Sequence, residues 1–119
     1  MIASSQEQDI AIIGGGPAGA ICALLLARAG ARVALVHWSG YAPGGIELVS
    51  GRARHLIEQH VPNFFQMAVP GIEINETISL WDTPQPVTFN AIFNPWGAGV
   101  AVERPWLDRA LRVLACSAG

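Results

Sequence analysis

One short glycine cluster carries most of the chemistry this sequence can do. Gly14-Gly15-Gly16-Pro17-Ala18-Gly19 contains the spacing G-x-G-x-x-G. An apolar run rich in β-branched residues precedes it and a helical pattern follows it, which is the setting in which the spacing has meaning. Gly14 allows a tight turn. Gly16 lets the backbone approach a pyrophosphate with no Cβ in the way, and Gly19 lets a helix pack closely against a strand. The free N–H groups and the positive dipole end of the following helix then hold phosphate oxygens.

A second position belongs to the same chemistry. A dinucleotide site places a carboxylate about 20 residues further on, at the end of the next strand, where it binds ribose hydroxyls. By register that place is His37. A neutral imidazole accepts one hydrogen bond and cannot clamp two hydroxyls. His37 therefore reads either as a ribose contact or as a strand-end surface histidine. Trp38 reads either as a cover for adenine or as an aromatic at the edge of the core.

The remaining reactive side chains form no site. His55 and His60 are not four apart, and with His37 they show no metal-ligand spacing, so no metal is expected. Ser39, Ser50 and Ser79 lack the G-x-S-x-G elbow of a hydrolase. Cys22 falls in an apolar helix and Cys116 near the end of the chain, and both read as packing residues. Trp81, Trp96 and Trp106 read as core or interface aromatics, or as the lining of an aromatic pocket. No general acid or base is identifiable, so the catalytic residues are unassigned.

The elements that would position the cluster follow from periodicity. Residues 9–13 predict a short apolar strand. Pro17 suits the first position of a helix, residues 18–29 continue it with apolar residues nearly all round, and Gly30 stops it. That pattern predicts burial on more than one face. Residues 32–37 predict a second, parallel strand. Residues 38–49 read as a Gly- and Pro-rich loop, and residues 50–60 as a short helix capped by Ser50. Residues 72–82 and 86–102 read as antiparallel strands of a different sheet, inserted between two parts of a nucleotide-binding domain. Residues 105–116 return to helical periodicity, with Trp106, Ala110, Val113 and Leu114 on one face and Leu107 and Leu111 beside them.

Composition bounds the answer. The chain has 119 residues, 51% of them hydrophobic and 13% charged, with 7 basic against 9 acidic residues. The charge fraction is about half the usual ~25% for a soluble domain, so heavy burial is expected and intrinsic disorder is excluded. A net charge of −2 gives no electrostatic footprint for nucleic acid. Two distant cysteines provide no disulfide framework and point to a cytoplasmic setting. The polar start lacks the form of a secretory signal. Glycines and a proline break the apolar, uncharged run of residues 10–27, so no membrane span is expected.

The segment IAIIGGGPAGAICALLLARAGARVALV resembles the N-terminal dinucleotide-binding motif of FAD-dependent oxidoreductases. Pro43-Gly44-Gly45-Ile46-Glu47, followed by Gly51-Arg52-Ala53, is similar to the loop and helix after the second strand in flavin monooxygenases and tryptophan halogenase-like proteins. Asn94-Pro95-Trp96-Gly97, then Val102-Glu103-Arg104-Pro105-Trp106-Leu107-Asp108 with Leu111 and Ala115, resembles the helix by which these proteins return from their substrate sheet to the FAD domain. Within the family, the flavoproteins that modify peptide tryptophan during quinone cofactor maturation are the most similar in character.

The resemblance implies an α/β, Rossmann-like FAD-binding βαβ unit with the start of an inserted antiparallel substrate-domain sheet, in an incomplete domain. Residues 1–62 would be the FAD-binding βαβ segment, 63–102 the start of the substrate-side sheet, and 103–119 the returning helix. It implies FAD bound by residues 14–19, with Arg52 and Arg104 set against the cofactor and Glu47 either near the flavin or a solvated loop charge. It further implies NAD(P)H or a separate flavin reductase as the electron source, and a small-molecule or peptide substrate, aromatic in character. Family members continue to a second Gly-Asp motif that this sequence lacks, so a partial chain is expected. Two other readings remain: an NAD(P)-dependent dehydrogenase fragment, and a non-catalytic nucleotide-binding or interaction module.

Overall fold

The computed structural model describes residues 7–38 and 44–119. Ser39 and Pro43, both discussed above, lie outside the described residues. The chain divides into two compact units, Met1–Pro43 with Pro105–Gly119, and Gly44–Arg104.

The first unit begins with strand β1 (Ile10–Ile13), helix α1 (Pro17–Arg28) and strand β2 (Val33–Val36). β1 and β2 pair in parallel, with Ile10 opposite Val33 and Ile13 opposite Val36. Asp9 clasps the open end of this pair. Its carboxylate accepts from Arg32 Nη2 at 2.7 Å and Nε at 3.1 Å, and from the Arg32 backbone N–H at 3.0 Å. These bonds hold the Asp9 carboxyl down at about 2, against an ordinary 3.8, and raise the Arg32 guanidinium. At the other end Gly14 N–H donates to the Val36 carbonyl at 2.8 Å, the last rung before the glycine turn.

α1 ends as its sequence predicts. Gly30 has φ +93°. Its N–H donates to Ala27 and the Ala31 N–H to Leu26, which is the paired bonding of a Schellman stop. The expected burial on several faces does not occur. Only Ala20, Ala23 and Leu24 are buried, and Cys22 is exposed rather than packed. A two-stranded sheet covers a single stripe of an all-round apolar helix, and that stripe is the whole of its buried face.

Helix α4 (Arg104–Ser117), from Pro105 onward, belongs to this unit. Its buried stripe is Leu107, Asp108, Leu111 and Ala115. The expected face is displaced: Trp106 is 59% and Val113 55% exposed.

The second unit is built on a three-stranded antiparallel sheet. β7 (Gly99–Glu103) lies between β3 (Ile46–Val49) and β4 (Ile72–Ile74). Val49 faces Val100, and Ile72 faces Ala101. β5 (Glu76–Ser79) and β6 (Val87–Asn90) form a separate hairpin. Helix α2 (Gly51–His60) packs on β7, and a short helix α3 (Phe64–Met67) packs on α2. Ser50 caps α2 as expected, its Oγ accepting from Ala53 N–H at 3.2 Å. The core consists of Val49, Ile57, Phe64, Phe65, Val69, Val100 and Val102.

β3 and the short helix α3 are not anticipated by the sequence. β3 lies within the segment read as loop. With α2 it belongs to the unit that contains β7, not to the one that contains β1. Among the described residues, no helix is long and apolar enough to cross a membrane.

Candidate functional site: the glycine turn at the start of α1

Residues 14–19 join the end of β1 to the first turn of α1. Gly14 takes φ +115°, a conformation that L side chains rarely adopt. Gly16 is the N-cap, extended at φ −74° and ψ −177°, and no side chain caps the helix. Its carbonyl accepts the first helical bond from Ala20 N–H at 2.9 Å. Pro17 at the first helical position has no N–H. The Ala18 and Gly19 amides precede that first bond, so the helix presents them as free donors.

Gly19 has no room for a side chain. A Cβ there would fall on the Gly14 carbonyl oxygen, with Ile12 Cγ2 at 3.5 Å. The close approach is therefore mainly of the helix to the turn, and only secondarily to the strand. The cradle is bare backbone, uncapped and pointed along the positive end of a twelve-residue helix. Such a site suits a phosphate or diphosphate anion.

Gly15 is the buried member of the turn. A Cβ on it would lie 2.5 Å from His37 Cβ and 3.1 Å from Arg112 Cδ. His37 thus stands directly beside the turn, at the end of β2, with its ring exposed. His37 Nδ1 lies 3.3 Å from the Trp38 carbonyl oxygen. That contact makes Nδ1 the donor and leaves Nε2 of the neutral ring as an acceptor. Trp38 is 83% exposed.

Arg112 was not singled out by sequence reasoning. Its Nη1 donates to the Gly15 carbonyl at 2.9 Å. The bond spans 97 positions of chain. An arginine on the outer turn of an amphipathic helix carries no sequence signal of such a contact.

Arg52 and Arg104, the two arginines that the resemblance sets against the cofactor, lie in the second unit. Arg52 is exposed in the first turn of α2. Arg104 is half-buried, and its Nη1 donates to Glu47 Oε2 at 3.0 Å. Its backbone N–H donates to the Gly45 carbonyl at 2.9 Å. A carboxylate it pairs with is thus Glu47 on β3. Glu47 is a strand residue rather than a loop charge.

In the same unit an open cavity of about 510 Å³ is lined in part by Leu48, Ile74, Phe89, Phe93 and Pro95. A neighbouring one includes Arg54, which bridges Glu58 and Glu73 at 3.6 Å and 3.3 Å. The Trp96 ring lies against His55 with centroids 5.0 Å apart. Trp81 and Trp96 do not pack in the core; Trp81 is 87% and Trp96 46% exposed. Among the described residues, no group of three or more His, Cys, Asp or Glu could hold a metal ion.

Comparison with known proteins bears on the turn directly. Residues 7–41 match the family model described as an FAD binding domain. The chain is 39% identical over 105 residues to "Probable electron transfer flavoprotein-quinone oxidoreductase YgcN" of Escherichia coli (strain K12), covering 83% of this chain and 24% of that protein. Among solved structures it is similar to a myxobacterial chondrochloren halogenase, described as a variant of FAD-dependent halogenases. The TM-score is 0.74 at 25% identity, over 94% of this chain and 27% of the other. It is also similar to a peptidyl tryptophan dihydroxylase essential for tryptophylquinone cofactor biogenesis, with a TM-score of 0.61 at 29% identity, over 95% of this chain and 24% of the other. The chain spans about a quarter of the length of each of these proteins. The likeness is thus to the N-terminal, FAD-binding part of flavin-dependent oxidoreductases and halogenases, and the cofactor that these comparisons support is FAD.

Proposed function

We propose that this chain forms the N-terminal part of an FAD-dependent oxidoreductase of monooxygenase or halogenase-like type, and that it binds the ADP portion of the cofactor. The observation that carries the reading is the glycine turn itself. Gly14 holds a positive φ, Gly19 excludes a side chain, and an uncapped helix start offers its amides. All of this lies inside the segment that matches an FAD binding domain.

In this proposal residues 14–19 (Gly14, Gly15, Gly16, Pro17, Ala18 and Gly19) hold the diphosphate. His37 contacts a ribose hydroxyl and Trp38 covers the adenine. Arg52 and Arg104 contribute positive charge toward the cofactor. When bound, FAD would supply the redox chemistry, and this chain would bind and orient its ADP portion. Residues 63–102 open the substrate side, where a small molecule or a peptide of aromatic character would be handled. Electrons would come from NAD(P)H or from a flavin reductase. The two distant cysteines fit a reducing, cytoplasmic setting.

Titration of the full chain with FAD, followed by quenching of flavin fluorescence, tests the reading. Saturable binding that excess NAD or NADP does not displace is the expected result. Preference for NAD or NADP over FAD would instead assign the turn to a nicotinamide dehydrogenase. Absence of any nucleotide binding would leave only an interaction module.

A further inference from the structure

The direction in which a phosphate-binding turn aims its amides depends on how each of its peptide planes is rotated. One plane of this turn is held from outside. Arg112 Nη1, on α4, donates to the Gly15 carbonyl at 2.9 Å. The stem of the same side chain fills the space above Gly15, where an added Cβ would come within 3.1 Å of Arg112 Cδ. On its other side Gly15 meets His37 Cβ, at 2.5 Å from that same position. Gly15 is therefore buried between the end of β2 and the arginine, and its carbonyl is turned to the guanidinium.

The peptide unit is planar and trans, so a carbonyl aimed at Arg112 sends the N–H of the next residue the opposite way. That next residue is Gly16, the N-cap of α1, and its N–H has no backbone partner among the described residues. We propose that Arg112 is a positioning residue of the phosphate turn: by holding the Gly15–Gly16 peptide it aims the Gly16 N–H at the diphosphate, beside the Ala18 and Gly19 amides. A charged donor is suited to this, because hydrogen bonds from an ionised group are shorter and about twice as strong as neutral ones. The inference rests on the FAD reading above.

The test compares the wild-type full chain with Arg112→Met and Arg112→Lys. FAD affinity, the melting temperature of the cofactor-free protein and the ³¹P resonances of bound FAD are measured for each. Arg112→Met is expected to weaken FAD by about tenfold, because the ligand must then itself order the freed Gly15–Gly16 peptide. It should also move the ³¹P resonances, with only a modest fall in melting temperature that Arg112→Lys largely restores. Lysine keeps a charged donor for the single bond made here, so Arg112→Lys should recover most of the affinity and the wild-type resonances. Wild-type affinity and unmoved ³¹P resonances in Arg112→Met would overturn the inference. So would a loss of affinity that tracks a fall in melting temperature and that lysine does not repair, because the arginine would then be a tether of α4 alone. If Arg112→Met does not fold, a folded Arg112→Lys that fails to bind FAD overturns it equally. Failure of the wild-type chain to bind FAD would bring down the parent reading, a different outcome from wild-type binding with a silent Arg112.

Discussion

Three glycines in the turn are held there by different constraints, and substitution separates them. Gly19→Ala drives a Cβ onto the Gly14 carbonyl oxygen, and backbone on both sides leaves little room to yield. A destabilisation of about 1–3 kcal/mol is expected, the range for overpacked sites, together with loss of FAD binding; urea unfolding and an FAD titration check it. Gly14→Ala meets no neighbour but must hold φ +115°, and the strain costs about 1–3 kcal/mol. Gly15→Ala would push on His37 and Arg112 and should reduce FAD affinity. Gly14 and Gly19 are legible in the spacing of the motif. The burial of Gly15 is not, because its neighbours come from β2 and from an arginine 97 positions away.

At the scale of elements, local signals succeed where one strong feature marks a boundary. Pro17 and Gly30 bracket α1, and Ser50 starts α2. Replacing Ser50 with Ala should cost about 1 kcal/mol, readable as a lowered urea midpoint, because the Ala53 N–H loses its cap. Signals fail where an element is short or where two apolar stripes overlap. β3 has four residues and is flanked by glycines, so only its pairing with β7 makes it a strand. α4 carries apolar residues on several sides, and its buried stripe includes Asp108, which a count of apolar residues passes over. The clasp at the open end of β1 and β2 predicts a pH effect. Asp9 titrates at about 2 when folded, below its ordinary 3.8, so its contribution to stability is complete above that ordinary value. It is lost as the pH falls through about 2. NMR titration of the Asp9 carboxyl checks the value, and Asp9→Asn should flatten the acid limb of the stability curve. Because both side chains are largely exposed, added salt should weaken the effect.

At the scale of the whole molecule the α/β class is legible, since the strand–glycine–helix–strand order and the later alternation both appear in the sequence. The placement of β3 and α2 with β7 is not, because it depends on pairings more than 50 positions apart, such as Val49 with Val100. The molecule also shows much apolar surface: Ile13, Trp81 and Phe93 are each more than 85% exposed. The 119-residue chain on its own should therefore bind a hydrophobic dye and self-associate as its concentration rises. Dye fluorescence and light scattering measure both, and a monomer with no dye response would contradict this. The central claim concerns the glycine turn, and ¹H–¹⁵N NMR of the full chain during an FAD titration tests it most directly. If the turn holds the diphosphate, the amide signals of Gly15, Gly16, Ala18 and Gly19 move the most and saturate together with flavin binding. Saturation with FAD while these four amides stay in place would contradict it.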